Sequence, residues 1–165
     1  MVGATAGKVT TTGANNSFFG ANAGTAHTTG NGNSFFGVSA GLSNTVAAFN
    51  NFFGYSAGQA NTTGAENAFF GANAGLANTT GSLNTFVGSN AGSTNTTGDR
   101  NTIIGNNANV AAGGLNYATA IGADATVSTD NTIVLGRNAG QDTVRVPGTL
   151  NVIGTLTASG AGLTN

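Results

Sequence analysis

The side chains that could carry acid–base, nucleophilic or metal chemistry are few in this chain, and their positions scatter them. There is one histidine, His27, and the acids are Glu66, Asp99, Asp124, Asp130 and Asp142. Catalysis needs titratable groups gathered around one pocket, and no spacing here pairs two carboxylates for that work. His27 stands where neighbouring repeats carry Asn, which reads as a loop residue rather than a base. Asp124 and Asp130 flank one turn and could hold a cation between chains, but two solvated turn carboxylates are the simpler reading. Arg137 and Arg145 could ring an oligomer's neck, but they too read more simply as a solvated collar. There is no Cys, so neither disulfides nor thiolate metal sites are available. Glycine pairs such as Gly20 and Gly24 lack the following Lys of a phosphate loop and are turns, and the nine-residue Gly/Asp calcium repeat is missing. The expectation is a non-enzymatic chain with no catalytic, cofactor-binding or metal site.

Composition narrows the partners. Charged residues make up 5% of the chain and the net charge is −1, so there is no basic footprint for nucleic acid or an anionic membrane. No run of about 18 apolar residues is present to span a bilayer. Met1-Val2-Gly3 lacks the charged and apolar opening of a signal peptide. The 28 glycines and the abundance of Asn, Thr, Ala and Ser could by themselves mean disorder. A strict period argues otherwise.

That period is the element to which every other residue must be referred. Asn67 to Gly81 is one copy of a unit whose Gly after an apolar pair recurs at Gly20, Gly37, Gly54, Gly71, Gly88, Gly105 and Gly122, each interval being 17 (37 − 20, and so on to 122 − 105). The pairs are Phe18-Phe19, Phe35-Phe36, Phe52-Phe53, Phe69-Phe70, Phe86-Val87, Ile103-Ile104 and Ala120-Ile121. Gly136 then follows Gly122 after 14 residues, preceded by Ile133-Val134-Leu135. Each unit reads as a short strand, a Gly turn, a second short strand through the Thr and another Gly turn. A unit this short cannot bury a core alone, so stacked units share one, about 4.8 Å apart. The fold class expected is all-β, a parallel β-solenoid of mostly 17-residue coils. Stacking aligns Asn16, Asn33, Asn50, Asn67, Asn84 and Asn101 in one column, and Asn44, Asn61, Asn78 and Asn95 in another with His27. Such columns can bond to one another and to turn backbone.

Gly3 to Gly7 matches Gly20 to Gly24, so the chain begins in mid-repeat, and residues 1–15 read as a partial leading repeat of a segment excised from a longer protein. Residues 16–136 are the coils. Residues 137–165 alternate apolar and polar side chains around the single proline, Pro147, and read as a β-rich neck whose last residues look cut.

Neighbouring residues on a strand point to opposite faces. In Phe18-Phe19 and its counterparts one ring must enter the coil and the other must leave it. A monomer would then carry an outer aromatic ridge several coils long, and such a stripe marks an interface. Burying each ring is worth roughly 1.5–3 kcal/mol, which over several coils exceeds an association cost of about 4–15 kcal/mol. An obligate homo-oligomer is expected, the pattern leaving dimer or trimer open; the falling bulk towards Ala120-Ile121 suggests a core that narrows C-terminally.

Asn101-Thr102-Ile103-Ile104-Gly105, Ala118 to Val127 and Asn131 to Gly136 resemble the repeats of trimeric autotransporter adhesin heads, the YadA-like head, and related repeats of tail-fibre-like bacterial and phage proteins. The resemblance covers residues 16–136. The 14-residue step matches the usual head period, whereas the 17-residue coils and the Phe pairs depart from it. It implies a left-handed β-roll, a homotrimer around a central axis, and a neck and stalk. It also implies an extracellular, cell-surface fibre that attaches to a surface or extracellular-matrix ligand.

Two other kinds of solenoid differ from this chain in particular residues. A hexapeptide acyltransferase needs an apolar residue every six positions, but Thr25 and Asn31 follow Phe19 at that step. Ice-binding solenoids present flat Thr arrays, and Thr28-Thr29, Thr62-Thr63, Thr79-Thr80 and Thr96-Thr97 form a column; the Gly after each pair suggests a turn, and Thr45-Val46 breaks it. The Asn-x-Thr sequons at Asn61, Asn78 and Asn95 would carry little weight in the bacterial fibre that the resemblance implies. The expected function is a rigid, multivalent attachment rod, with a phage tail-fibre segment, an ice-binding solenoid or a purely structural spacer as alternatives.

Overall fold

The computed structural model describes residues 1–137, 142–153 and 155. The chain winds through about seven turns of a parallel β-solenoid, with no helix among the described residues. One wall is an eight-stranded parallel sheet. Its strands are β1 (Ser17–Phe19), β2 (Ser34–Phe36), β3 (Asn51–Phe53), β4 (Ala68–Phe70), β5 (Thr85–Val87), β6 (Thr102–Ile104), β8 (Thr119–Ile121) and β10 (Ile133–Leu135). Among the described residues the opposite wall holds β7 (Asn109–Val110) and β9 (Thr126–Val127).

The register places every residue over its counterpart one repeat on, so that Phe18, Phe35, Phe52, Phe69, Phe86, Ile103, Ala120 and Val134 form one inward column. Successive Phe rings in it stack with centroids 4.7–4.9 Å apart. That is the strand spacing itself, so parallel pairing and ring stacking demand the same rise. The column is buried from Phe18 to Ala120 and is completed by the alanines of the facing turn, such as Ala40, Ala57 and Ala74.

The second strand expected in every coil is present only near the C-terminus. Where the inward residue is Phe, the residue six later is Gly24, Gly41, Gly58, Gly75 or Gly92, with φ of 57–60°. That left-handed conformation favours Gly and breaks an extended run. A Cβ on Gly58 would also lie 2.5 Å from Cε2 of Phe52, so the ring occupies the space a side chain would need. Where the inward residue shrinks to Ile103 or Ala120, Asn109 or Thr126 replaces the Gly, and the backbone extends into β7 or β9. Val110 and Val127 then enter the core from that wall.

Two further corners of the coil use left-handed backbone. One carries Asn22, Ser39, Ser56, Asn73, Asn90, Asn107 and Asp124 at φ of 52–59°, mostly residues that tolerate it. The other carries Asn15, Phe49, Glu66, Leu83, Arg100, Tyr117 and Asn131 at φ of 53–62°. Bulky residues there cost roughly 1–2 kcal/mol each, and the ladder holds them: the N–H of Phe49 donates to Asn31 O at 2.9 Å and that of Leu83 to Ala65 O at 3.0 Å.

Of residues 137–165, read from sequence as a β-rich neck, 138–141, 154 and 156–165 lie outside the described residues, and 142–153 carry no strand.

Candidate functional site

The chemistry-bearing residues are drawn into the solenoid's own bonding. His27 lies outside the strands, as expected of a loop residue, and is fully buried. Its Nδ1 lies 3.0 Å from Asn44 Oδ1 and its Nε2 2.9 Å from Gly30 O. The ring meets Phe18 edge-on at 5.1 Å. It occupies the place of an Asn and does an Asn's work.

The carboxylates are spread over different coils as expected, and most of them cap backbone. Asp99 Oδ1 accepts the N–H of Ser82 at 2.7 Å, and Asp130 Oδ1 accepts that of Asn116 at 2.8 Å. Asn31, Ser82 and Asn116 play the same part towards Ala14, Ala65 and Asp99. Sequence reasoning missed this role. Its signal was a short acceptor side chain recurring at one register, two residues before the Asn column. Asp124 Oδ1 accepts from Asn107 Nδ2 at 3.3 Å, which ties it to the neighbouring coil rather than to Asp130. No group of three or more His, Cys, Asp or Glu that could hold a metal occurs among the described residues.

Arg137 pairs with Asp142, Nη2 lying 3.0 Å from Oδ1. Hydrogen bonds from the Arg137 side chain and backbone hold the Asp142 carboxyl below its usual range, and Asp142 in turn raises the guanidinium. With Gly122, Ala123, Asp124 and Gly136 they line an open depression of about 270 Å³ at the end of the coils. Both partners stand in solvent, so the pair is a weak clasp.

The Asn columns meet their expected role. Each Oδ1 of Asn33, Asn50, Asn67, Asn84 and Asn101 accepts the backbone N–H of the residue one coil on, at 2.8–3.0 Å. Their Nδ2 groups donate to turn carbonyls such as Gly64 O and Gly81 O, both at 2.9 Å. In the second column Asn78 Nδ2 donates to Asn61 Oδ1 at 2.8 Å, and Asn95 Nδ2 to Asn78 Oδ1 at 2.9 Å.

The Thr array is half consumed. The hydroxyls of Thr28, Thr45, Thr62, Thr79 and Thr96 donate to carbonyls of the next coil at 3.0–3.2 Å. That leaves Thr29, Val46, Thr63, Thr80 and Thr97 as a single exposed column.

The outer face of the eight-stranded sheet is also exposed. Phe18, Phe35, Phe52 and Phe69 point in, while Phe19, Phe36 and Phe70 are 38–54% exposed and Phe53 is half-buried. The outer rings stack at 4.8–6.1 Å, and Val87, Ile104, Ile121 and Leu135 prolong the ridge. No helix among the described residues is long and apolar enough to cross a membrane. No family model matches the chain, and no curated protein or solved structure matches it significantly.

Proposed function

We propose that the chain is a rigid, non-enzymatic rod segment of an extracellular attachment fibre, in which the outer aromatic ridges of several copies meet on a common axis. Three chains are the arrangement that the resemblance to autotransporter heads implies. The observation that carries this reading is the ridge itself, a continuous apolar stripe along the sheet. Stripes of that length on a water-exposed surface belong to interfaces. Attachment would be mechanical and multivalent: a stiff rod offers the same weakly binding surfaces many times, and copies add avidity. A phage tail-fibre segment would use the same physics. Ice binding has less support, because half of the Thr hydroxyls are committed to the ladder.

The test is the mass of the intact chain in dilute solution, by light scattering, beside a Phe36→Ser, Phe53→Ser variant. The reading expects a trimer for the parent chain and a monomer with an unchanged β spectrum for the variant. A monomeric parent would refute the assembly. Binding of the parent chain, and not of the variant, to matrix-coated or abiotic surfaces tests attachment; equal retention of both would leave only a spacer.

A further inference from the structure

Several columns of the molecule are nearly uniform, but the one at the second left-handed corner is not. At the second left-handed corner, successive coils carry Phe49, Glu66, Leu83, Arg100 and Tyr117, all exposed. Phe49 is 61%, Leu83 41% and Tyr117 53% exposed. The conformation favours Gly or Asn, which is what the coils on either side have, at Asn15, Gly32 and Asn131. The five middle coils carry bulk against both backbone preference and solvent exposure. Gly32 makes room for that bulk, since a Cβ there would lie 2.8 Å from Cδ1 of Phe49. Arg100 lies over the Tyr117 ring, 5.3 Å from its centroid, so the strip is already ordered lengthwise.

The order of residues identifies the occupant. Steps of about 4.8 Å put the five positions on a line about 19 Å long, reading aromatic, acid, aliphatic, base, aromatic. Turned end for end about Leu83, the line matches itself: Glu66 faces Arg100, Arg100 faces Glu66, Phe49 and Tyr117 exchange places, and Leu83 meets Leu83. Parallel alignment would instead set Glu66 on Glu66 and Arg100 on Arg100. An antiparallel slip of one coil sets Glu66 against an apolar neighbour. A two-fold interface must be self-complementary in this way, and opposed charges fix its register.

We infer that this corner is a docking strip for a second copy of the chain, running antiparallel, which pairs two rods side by side. The inference does not depend on how many chains share the aromatic ridge, since Phe49 and Phe53 belong to different columns. A strip one residue wide falls well below the roughly 1,200–2,000 Å² of a stable interface, so pairing is weak and concentration-dependent.

The chain has no cysteine, which makes single-thiol variants unambiguous. Under mild oxidation the full chain with Leu83→Cys should cross-link to itself. Phe49→Cys alone and Tyr117→Cys alone should not, whereas their equimolar mixture should give the mixed disulfide. Self-cross-linking of Phe49→Cys and of Tyr117→Cys would mean parallel alignment and overturn the inference. So would the absence of any cross-link. In sedimentation equilibrium, Glu66→Arg or Arg100→Glu should weaken the association of rods roughly tenfold or more, and the double exchange should restore it. Unchanged association in both single variants, or no restoration in the double, would also overturn it. Thermal unfolding of each variant checks that the exposed corner leaves the coils intact.

Discussion

The coils built on Phe18 to Phe86 and the coils built on Ile103 and Ala120 share a backbone path along one wall and solve the core differently along the other. In the first region a ring spans the interior and rests on a left-handed Gly; Phe35 and Gly41, or Phe52 and Gly58, are such pairs. In the second a smaller residue leaves room, the Gly becomes Asn109 or Thr126, and Val110 or Val127 fills from the far side. Interiors are packed to nearly constant density, so the inward residue and the one six later must change together. The exchange of Gly for a side chain is what turns a one-stranded coil into a two-stranded one.

The sharpest way to break this comparison is to empty the ring column. Phe52→Ala should cost about 3–5 kcal/mol and open its coil to protease, while Val127→Ala should cost roughly 2 kcal/mol; urea unfolding of each reads the difference. Next comes the Gly itself. Gly58→Ala adds a clash to a left-handed backbone and should cost about 2–3 kcal/mol, yet less when Phe52→Ala is already present, as a double-mutant cycle would measure. Asn109→Gly, the reverse change in the other region, should cost no more than about 1 kcal/mol.

The Asn column ends with Asn101, whose Oδ1 bonds the N–H of Ala118 at 2.8 Å. Asn67→Ala would leave the Asn84 N–H buried without its acceptor, a loss of about 1–3 kcal/mol in thermal or urea unfolding. The smallest effect belongs to the clasp beyond the coils. The Asp142 carboxyl is held low by Arg137, so whatever it adds is present above the ordinary carboxylate range and lost as pH falls through the lowered value. Because both groups stand in solvent, Asp142→Asn should leave Tm unchanged near neutral pH, and only the NMR titration of that carboxyl should reveal the pairing.

Much of the coil was legible because a period and an alternation are local properties. The 17-residue step set the register, and adjacent Phe residues had to part to opposite faces. Asn at one register had to serve buried backbone. The far wall was not legible, because whether Ala23-Gly24-Thr25 extends or kinks depends on what the opposite Phe18 ring leaves free. His27 is the loop residue it looked like, but its burial was not legible, because Phe18 and Asn44, which enclose it, come from other parts of the coil stack.

The carboxylates show the division most plainly. Their scatter along the chain already argued against a catalytic cluster, but only stacking brings Asp99 against the N–H of Ser82, 17 positions earlier. The sequence alone determined the repeat, the parallel register and the two-faced aromatic strand, since each follows from spacing along one chain. Tertiary structure decided which coils have a second strand and which polar groups are consumed. It also decided that bulky residues occupy a left-handed corner in solvent. Those outcomes depend on volume and hydrogen-bond partners supplied by the next coil, and no residue's own neighbours in sequence specify them.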